Sequence, residues 1–390
     1  MFWLMGVVLP CLRASLFCLA AGVVRLAQAD LPVPLWLDGY FGRTDIVWPV
    51  MPPMPEPDGL RACCAFGFDM RVRLPGMTAT LPFYRVDNIV GIGTTGGHHY
   101  NAQRLAIALR GASTEHNGIA YTTRGGFVDT AHVRDTADMT IWIFTHLWPR
   151  LGDAFVLIPG REELAQRRLV FRAFTPPSSA RERYILAARM AARLAWQLAV
   201  WHEIAQWYGF ESVPGFPETV SAFSPEDLWS NLLGARMAES LILTGHVASR
   251  GMYEAAMGNA MQQILVELGV VTHAGTRTRF KELDGQWWDS QQALPEKMLV
   301  LRRNYDTEEV RCPTPALPEN VIPLCLTLPL STDTMPAVLQ LWPGHDMRRL
   351  PTPATFYTVA DFARLASIAE SQEAGYRGRG KGQSDIMKDK

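Results

Sequence analysis

Most of the short signatures that declare a chemistry are missing from this 390-residue chain. None of its six cysteines is spaced as C-x-x-C, which argues against cysteine-built zinc sites and thioredoxin-type redox chemistry. Charge is sparse: Asp, Glu, Lys and Arg make up 19%, and the formal net charge is −1. Nucleic acid is therefore not expected as the main partner. Neither G-x-S-x-G nor S-x-x-K stands at a plausible site, which weakens a serine-hydrolase reading. His202-Glu203 does not open the H-E-x-x-H of zinc peptidases, because Gln206 holds the position of the second histidine. Internal repeats are absent too. What is there is ordinary for a globular protein, with 48% hydrophobic residues and length enough for a sizeable core.

The N-terminus has the pattern of a targeting segment. Arg13 precedes an apolar run over 14–24, and Ala27-Gln28-Ala29 offers a small-x-small cleavage site before Asp30. Residues 1–29 are expected to be a signal peptide or an N-terminal anchor. The chain is then exported, periplasmic or envelope-associated, with membrane association through this segment. Residues 30–58 are proline-rich and expected as a lead-in over the surface. Residues 59–370 form a single globular domain, and 371–390, rich in glycine and charge, a disordered tail. Four cysteines remain after 1–29: Cys63, Cys64, Cys312 and Cys325. Neighbouring cysteines bond each other only with strain, so Cys312 and Cys325 are the expected partners of Cys63 and Cys64. Buried free thiols are the alternative.

A long helical pattern runs from about 179 to Gly209, a left-handed stop residue. Arg189, Arg193 and Gln197 make a narrow polar stripe. Ala187, Met190, Leu194 and Leu198 lie opposite, and His202 continues their line. So apolar a helix belongs inside a domain. At its buried end, His202 and Glu203 cost several kcal/mol unless paired, hydrogen-bonded or bound to metal. The expected fold is α+β and mainly helical: a long central buried helix with flanking helices and a few short strands.

Other polar groups gather around that pattern. Gly91-Ile92-Gly93-Thr94-Thr95-Gly96 superficially resembles a dinucleotide loop, but no convincing second strand follows. A tight turn bringing His98 and His99 to a pocket rim fits better. A helix over 102–109 and a strand over 117–123 come next, then a helix from about 128 to 147. In it, Asp129 and Asp135 each stand three residues from His132. A carboxylate gripping one nitrogen of a histidine is how metal-bound imidazoles are oriented. The bland alternative is acids complementing a helix dipole. Ser224-Pro225-Glu226-Asp227 is a strong helix start, and His246 follows that helix at its end. A strand is expected over 167–174 and another over 321–330.

The leading function is a metal-dependent hydrolase acting on an envelope lipid, peptide or glycan. Zinc or a similar ion is assembled from His132, His202 and His246, while Glu203, Asp129 and Asp135 serve catalysis. One alternative is a non-enzymatic envelope protein whose His/Glu/Asp cluster is a structural network. Another is a metal-free glycan hydrolase using Glu203 with Asp129 or Asp227. A nucleophilic Cys64 is disfavoured by neighbouring Cys63.

Several motifs in order carry a resemblance: Cys63-Cys64-Ala65-Phe66-Gly67, Gly125-Gly126-Phe127-Val128-Asp129 through Asp135, His202-Glu203 with Trp207-Tyr208-Gly209, and Ser221 through Asp227. Over about 59–343 the chain resembles an uncharacterised family of exported bacterial proteins known only as a domain of unknown function. The resemblance implies a bacterial envelope setting and brings no activity, cofactor or catalytic residue.

Overall fold

A computed structural model describes residues 47–57, 65–74, 76–82, 88–101, 115–160, 162–212, 217–316, 320–345 and 349–388. Residues 1–29, Cys63, Cys64 and the helix expected over 102–109 lie outside that set. The elements are, in order, β1 (Arg71–Val72), β2 (Leu81–Pro82), β3 (Ile119–Thr122), β4 (Gly126–Asp129), α1 (Thr130–Leu147), β5 (Phe155–Leu157) and β6 (Ala165–Phe171). They continue with α2 (Ala180–Trp207), α3 (Asp227–Leu243), α4 (Arg250–Glu267), α5 (His273–Leu283), β7 (Ala337–Pro343) and α6 (Phe362–Lys388). The fold is α+β and mainly helical, as its sequence pattern implies. β1 pairs with β2, β3 with β4, and β5, β6 and β7 form an antiparallel sheet in that order.

The expected central helix is α2. Ser179 caps it by accepting from the Glu182 amide at 3.4 Å. Gly209, at φ 100°, ends it, and the Phe210 amide donates to the Ala205 carbonyl at 2.9 Å. From Ala187 onward α2 is buried almost all round, because α1 and α3 pack on it and β7 and α6 also cover it. Its polar stripe is used rather than exposed. Arg193 donates to the carbonyls of Leu328 and Leu330, and Gln197 to the Thr332 hydroxyl.

α1 and α3 approach each other closely at one point. A Cβ on Gly234 would lie 2.1 Å from the carbonyl oxygen of Val133, so only glycine allows this spacing. Around that contact the Asp129 amide donates to the Ser230 hydroxyl at 3.0 Å, and Thr136 donates to the Asn231 side-chain oxygen at 2.6 Å. Asp227, Ser230, Asn231 and Gly234 share one face of α3, as their spacing requires.

Four expectations are corrected. Residues 47–57 are not merely a surface lead-in: Met51 and Met54 are in the core, and the Met51 amide donates to the Val247 carbonyl at 2.9 Å. No strand spans 321–330, where Leu326 makes only an isolated bridge to Arg311 and two carbonyls serve Arg193. Cys312 and Cys325 bond each other, because that bridge sets the two cysteines side by side. The expected disordered tail is helical through Lys388 in α6. Buried Glu373 anchors it by accepting from Arg303 and Tyr305, each at 3.1 Å.

Candidate metal centre

Three helices deliver five ionisable side chains to one buried place. The β3–β4 hairpin feeds straight into α1, so Asp129 is both the last strand residue and the N-cap. Its Oδ1 accepts from the Ala131 amide at 2.7 Å and the His132 amide at 3.4 Å. Its Oδ2 stands 3.4 Å from His132 Nδ1, the carboxylate–imidazole contact expected from their three-residue spacing. The other ring nitrogen, Nε2, faces Glu203 Oε1 of α2 at 3.6 Å and Asp227 Oδ1 of α3 at 3.7 Å. Glu226, next in the chain to Asp227, completes the set.

Burial is nearly total: Asp129, Glu203, Glu226 and Asp227 are at most 3% exposed and His132 is 6%. Partners for the acids are scarce. Glu203 Oε2 accepts from the Phe223 amide at 2.7 Å, and Glu226 Oε2 from the Ser224 hydroxyl at 3.0 Å. Among the described residues, nothing donates a hydrogen bond to Glu203 Oε1, Glu226 Oε1 or either oxygen of Asp227. Nor does any described lysine or arginine come within salt-bridge distance of Glu203, Glu226 or Asp227. Burial pushes the Asp227 carboxyl well above the usual carboxylate range; His132 opposes this, while Glu203, Glu226 and Asp129 reinforce it. Glu226 is pushed up to about 8 by burial and then by the Asp129 charge. Such a cluster is stable only if cations or protons neutralise it.

Asp129, His132 and Asp227 each offer one donor atom, and these atoms lie within 4.8 Å of one another. The group can hold a metal ion. One imidazole with two carboxylates is a donor set that first-row divalent ions accept. Glu203 and Glu226 stand outside that group. Beside Glu226 lies a narrow cleft walled by Phe127, Trp229 and Trp287, with no room for a water-sized sphere.

The six residues singled out from sequence separate in space. Asp129, His132 and Glu203 meet as expected. Asp135 is half-buried one turn further on and supplies none of the three donor atoms. His202 points elsewhere: its Nδ1 lies 3.6 Å from Glu163 Oε2, and its ring packs edge-on against Phe210. Burial alone would lower its pKa, but Glu163, with smaller contributions from Glu203 and Glu218, raises it overall. Consecutive helix residues point about 100° apart, so His202 and Glu203 serve different neighbours. His246 is exposed just beyond α3, with Nδ1 2.9 Å from the Thr244 hydroxyl. Neither His202 nor His246 joins the metal group. Asp227 and Glu226 take their place, although Ser224-Pro225-Glu226-Asp227 reads in sequence as a helix start with acids complementing the dipole. The usable signal was the shared α3 face that runs from Asp227 through Asn231 to Gly234.

A second polar centre surrounds His98. Its Nε2 is 2.9 Å from Asp138 Oδ1 and its Nδ1 is 3.3 Å from Glu115 Oε2, while Tyr253 donates to the same Asp138 oxygen at 2.8 Å. The turn holding Gly93 and Gly96 at positive φ delivers His98 and exposed His99 to a pocket of about 650 Å³ against α4. That matches the rim expected from the glycine turn.

Among the described residues, no helix is long and apolar enough to cross a membrane. No curated protein and no solved structure matches the chain. One family does, over residues 51–317, a span that contains all five residues of the centre. The chain belongs to the family described as protein of unknown function (DUF4056).

Proposed function

We propose that this protein is a metal-dependent hydrolase of the bacterial envelope, with Asp129, His132 and Asp227 as the metal-holding group. One observation carries the reading: both buried oxygens of Asp227 lack a hydrogen-bond donor among the described residues, and one faces His132 Nε2 at 3.7 Å. An unpaired buried carboxylate costs several kcal/mol, and a divalent ion removes that cost. A bound ion of this type supplies Lewis acidity and lowers the pKa of its water to about 7. The chain's own groups divide the remaining work. Asp129 Oδ2 stands 3.4 Å from His132 Nδ1 while Nε2 faces Glu203 and Asp227, which orients the ring within the group. Phe223 pins one oxygen of Glu203, so the other is held toward the centre as a proton acceptor. Zinc fits this donor set, as do manganese and iron.

Export is part of the proposal. The apolar run over 14–24, Ala27-Gln28-Ala29 and the Cys312–Cys325 disulfide support an oxidising compartment. Envelope lipids, peptides and glycans are the substrate classes to screen.

The narrowness of the cleft beside Glu226 favours a second reading, a non-enzymatic protein whose polar centre ties three helices together. Metal analysis of the purified protein separates the two. The hydrolase reading expects tightly bound divalent metal that is lost in His132→Ala and Asp227→Asn. No uptake after reconstitution with zinc, manganese or iron, with a large loss of melting temperature in His132→Ala, would leave the structural reading.

A further inference from the structure

We infer that Arg303 is a positioning residue of the centre, holding Glu203 in place through the strained backbone of Phe223. The inference rests on the proposed role of Glu203 as proton acceptor and deepens it.

Phe223 is fully buried and lies in the left-handed region at φ 58°. A bulky side chain there is a genuine outlier. Left-handed backbone costs such a residue about five- to thirtyfold in a folding equilibrium constant. Strain of this kind persists only where neighbours hold it, and it gathers at functional sites. Here the strained residue donates its amide to Glu203 Oε2 at 2.7 Å, while Glu203 Oε1 faces His132 Nε2 at 3.6 Å. The left-handed turn thus points an N–H at the acid that faces the metal-holding group.

A segment remote in sequence holds that turn. Arg303 donates Nη1 to the Ala222 carbonyl, and Nη2 to the Lys297 carbonyl at 2.9 Å. The Asn304 amide donates to the Phe223 carbonyl at 2.8 Å, and the Tyr305 ring lies 4.8 Å from the Phe223 ring. The Ala222 carbonyl and the Phe223 N–H belong to one planar peptide unit. Turning that N–H away from Glu203 therefore breaks the bond to Arg303. Arg303 is fixed in its turn: its side chain is 0% exposed, and Nε donates to Glu373 Oε1 of α6 at 3.1 Å. Lysine does not replace it, because a single ammonium lacks the planar fork that serves three acceptors.

The test uses the full-length protein and two readouts. In metal-free protein, urea melts compare Phe223→Gly with Phe223→Ala, since both lose the ring and only glycine tolerates the left-handed backbone. The glycine variant is expected to have the larger folding equilibrium constant, by about fivefold or more. An alanine variant as stable as the glycine variant overturns the inference. In cobalt-loaded protein, the visible spectrum followed against pH reports ionisation beside the ion. Glu203→Gln and Arg303→Lys are each expected to move its midpoint in the same direction, and their combination is expected to add nothing further. A midpoint that Arg303→Lys leaves in place, or moves equally when Glu203 is already replaced, overturns the positioning role and leaves the metal reading standing. No cobalt uptake by wild type overturns the metal reading and, with it, the role given to Glu203. Glu373→Gln removes the counter-charge that steadies Arg303 and carries the same expectation. An unmoved midpoint in whichever of these two variants folds overturns the inference.

Discussion

Gly234 of α3 rests on the carbonyl of Val133 in α1, so close that a Cβ would lie 2.1 Å from that oxygen. This contact sets the distance between the helices that carry His132 and Asp227. Gly234→Ala forces the helices apart. Overpacking of this kind costs about 1–3 kcal/mol, and metal affinity is expected to fall with it. Denaturant melts alongside metal titration check this; unchanged affinity in a destabilised variant would show that the spacing is not what builds the centre.

Asp227→Asn separates folding from binding. In metal-free protein it removes a buried acid that has no hydrogen-bond donor, so stability is expected to rise by about 1–3 kcal/mol. With metal present the order reverses, because a ligand is lost. Melting temperatures of both proteins with and without chelator give the four values needed. A variant less stable than wild type under both conditions contradicts the account.

Two histidines from different clusters are expected to behave differently. His132→Ala empties the centre. His202→Ala leaves metal content unchanged, since His202 faces Glu163 and not the donor group. Metal loss in His202→Ala would mean the two clusters are coupled.

Lys297 gives a pH signature away from the centre. Burial first, and the Arg303 charge second, lower its pKa from 10.5 to about 8, even though its ammonium lies 3.3 Å from the Trp207 ring centroid. Between those two values the unfolded chain binds more protons than the folded one, so stability rises with pH across that window. Lys297→Met is expected to flatten the rise and to raise stability at neutral pH. Urea melts at intervals across the window test the sign.

Cys312 and Cys325 enclose a short loop, with a sequence separation of 13. Loops of this size stabilise by about 3 kcal/mol at most when native geometry is unstrained. Cys312→Ser with Cys325→Ser is therefore expected to lower stability by up to that amount and to leave metal content intact. Thermal melts and metal analysis of the double variant check both halves.

Local rules made α2 readable. Ser179, Gly209 and the apolar spacing between them define a buried helix without reference to any partner. The Asp129–His132 contact is equally local, since three residues on a helix share a face and the cap position fixes Asp129. By the same periodicity Glu203 could be marked as a buried acid needing a partner. What no spacing rule reaches is which histidine it meets. His202 and Glu203 are adjacent in sequence, yet they point about 100° apart on the helix, and the neighbours supplied by other elements decide their roles. Glu163 claims His202, while α1 brings His132 to Glu203. Asp227 entered the centre only because Gly234, two turns along α3, lets that helix close on Val133. Side-chain chemistry and helix periodicity were determined by the sequence alone; the meeting of acids from three helices was decided by tertiary packing, because close approach depends on volumes that chain order does not encode.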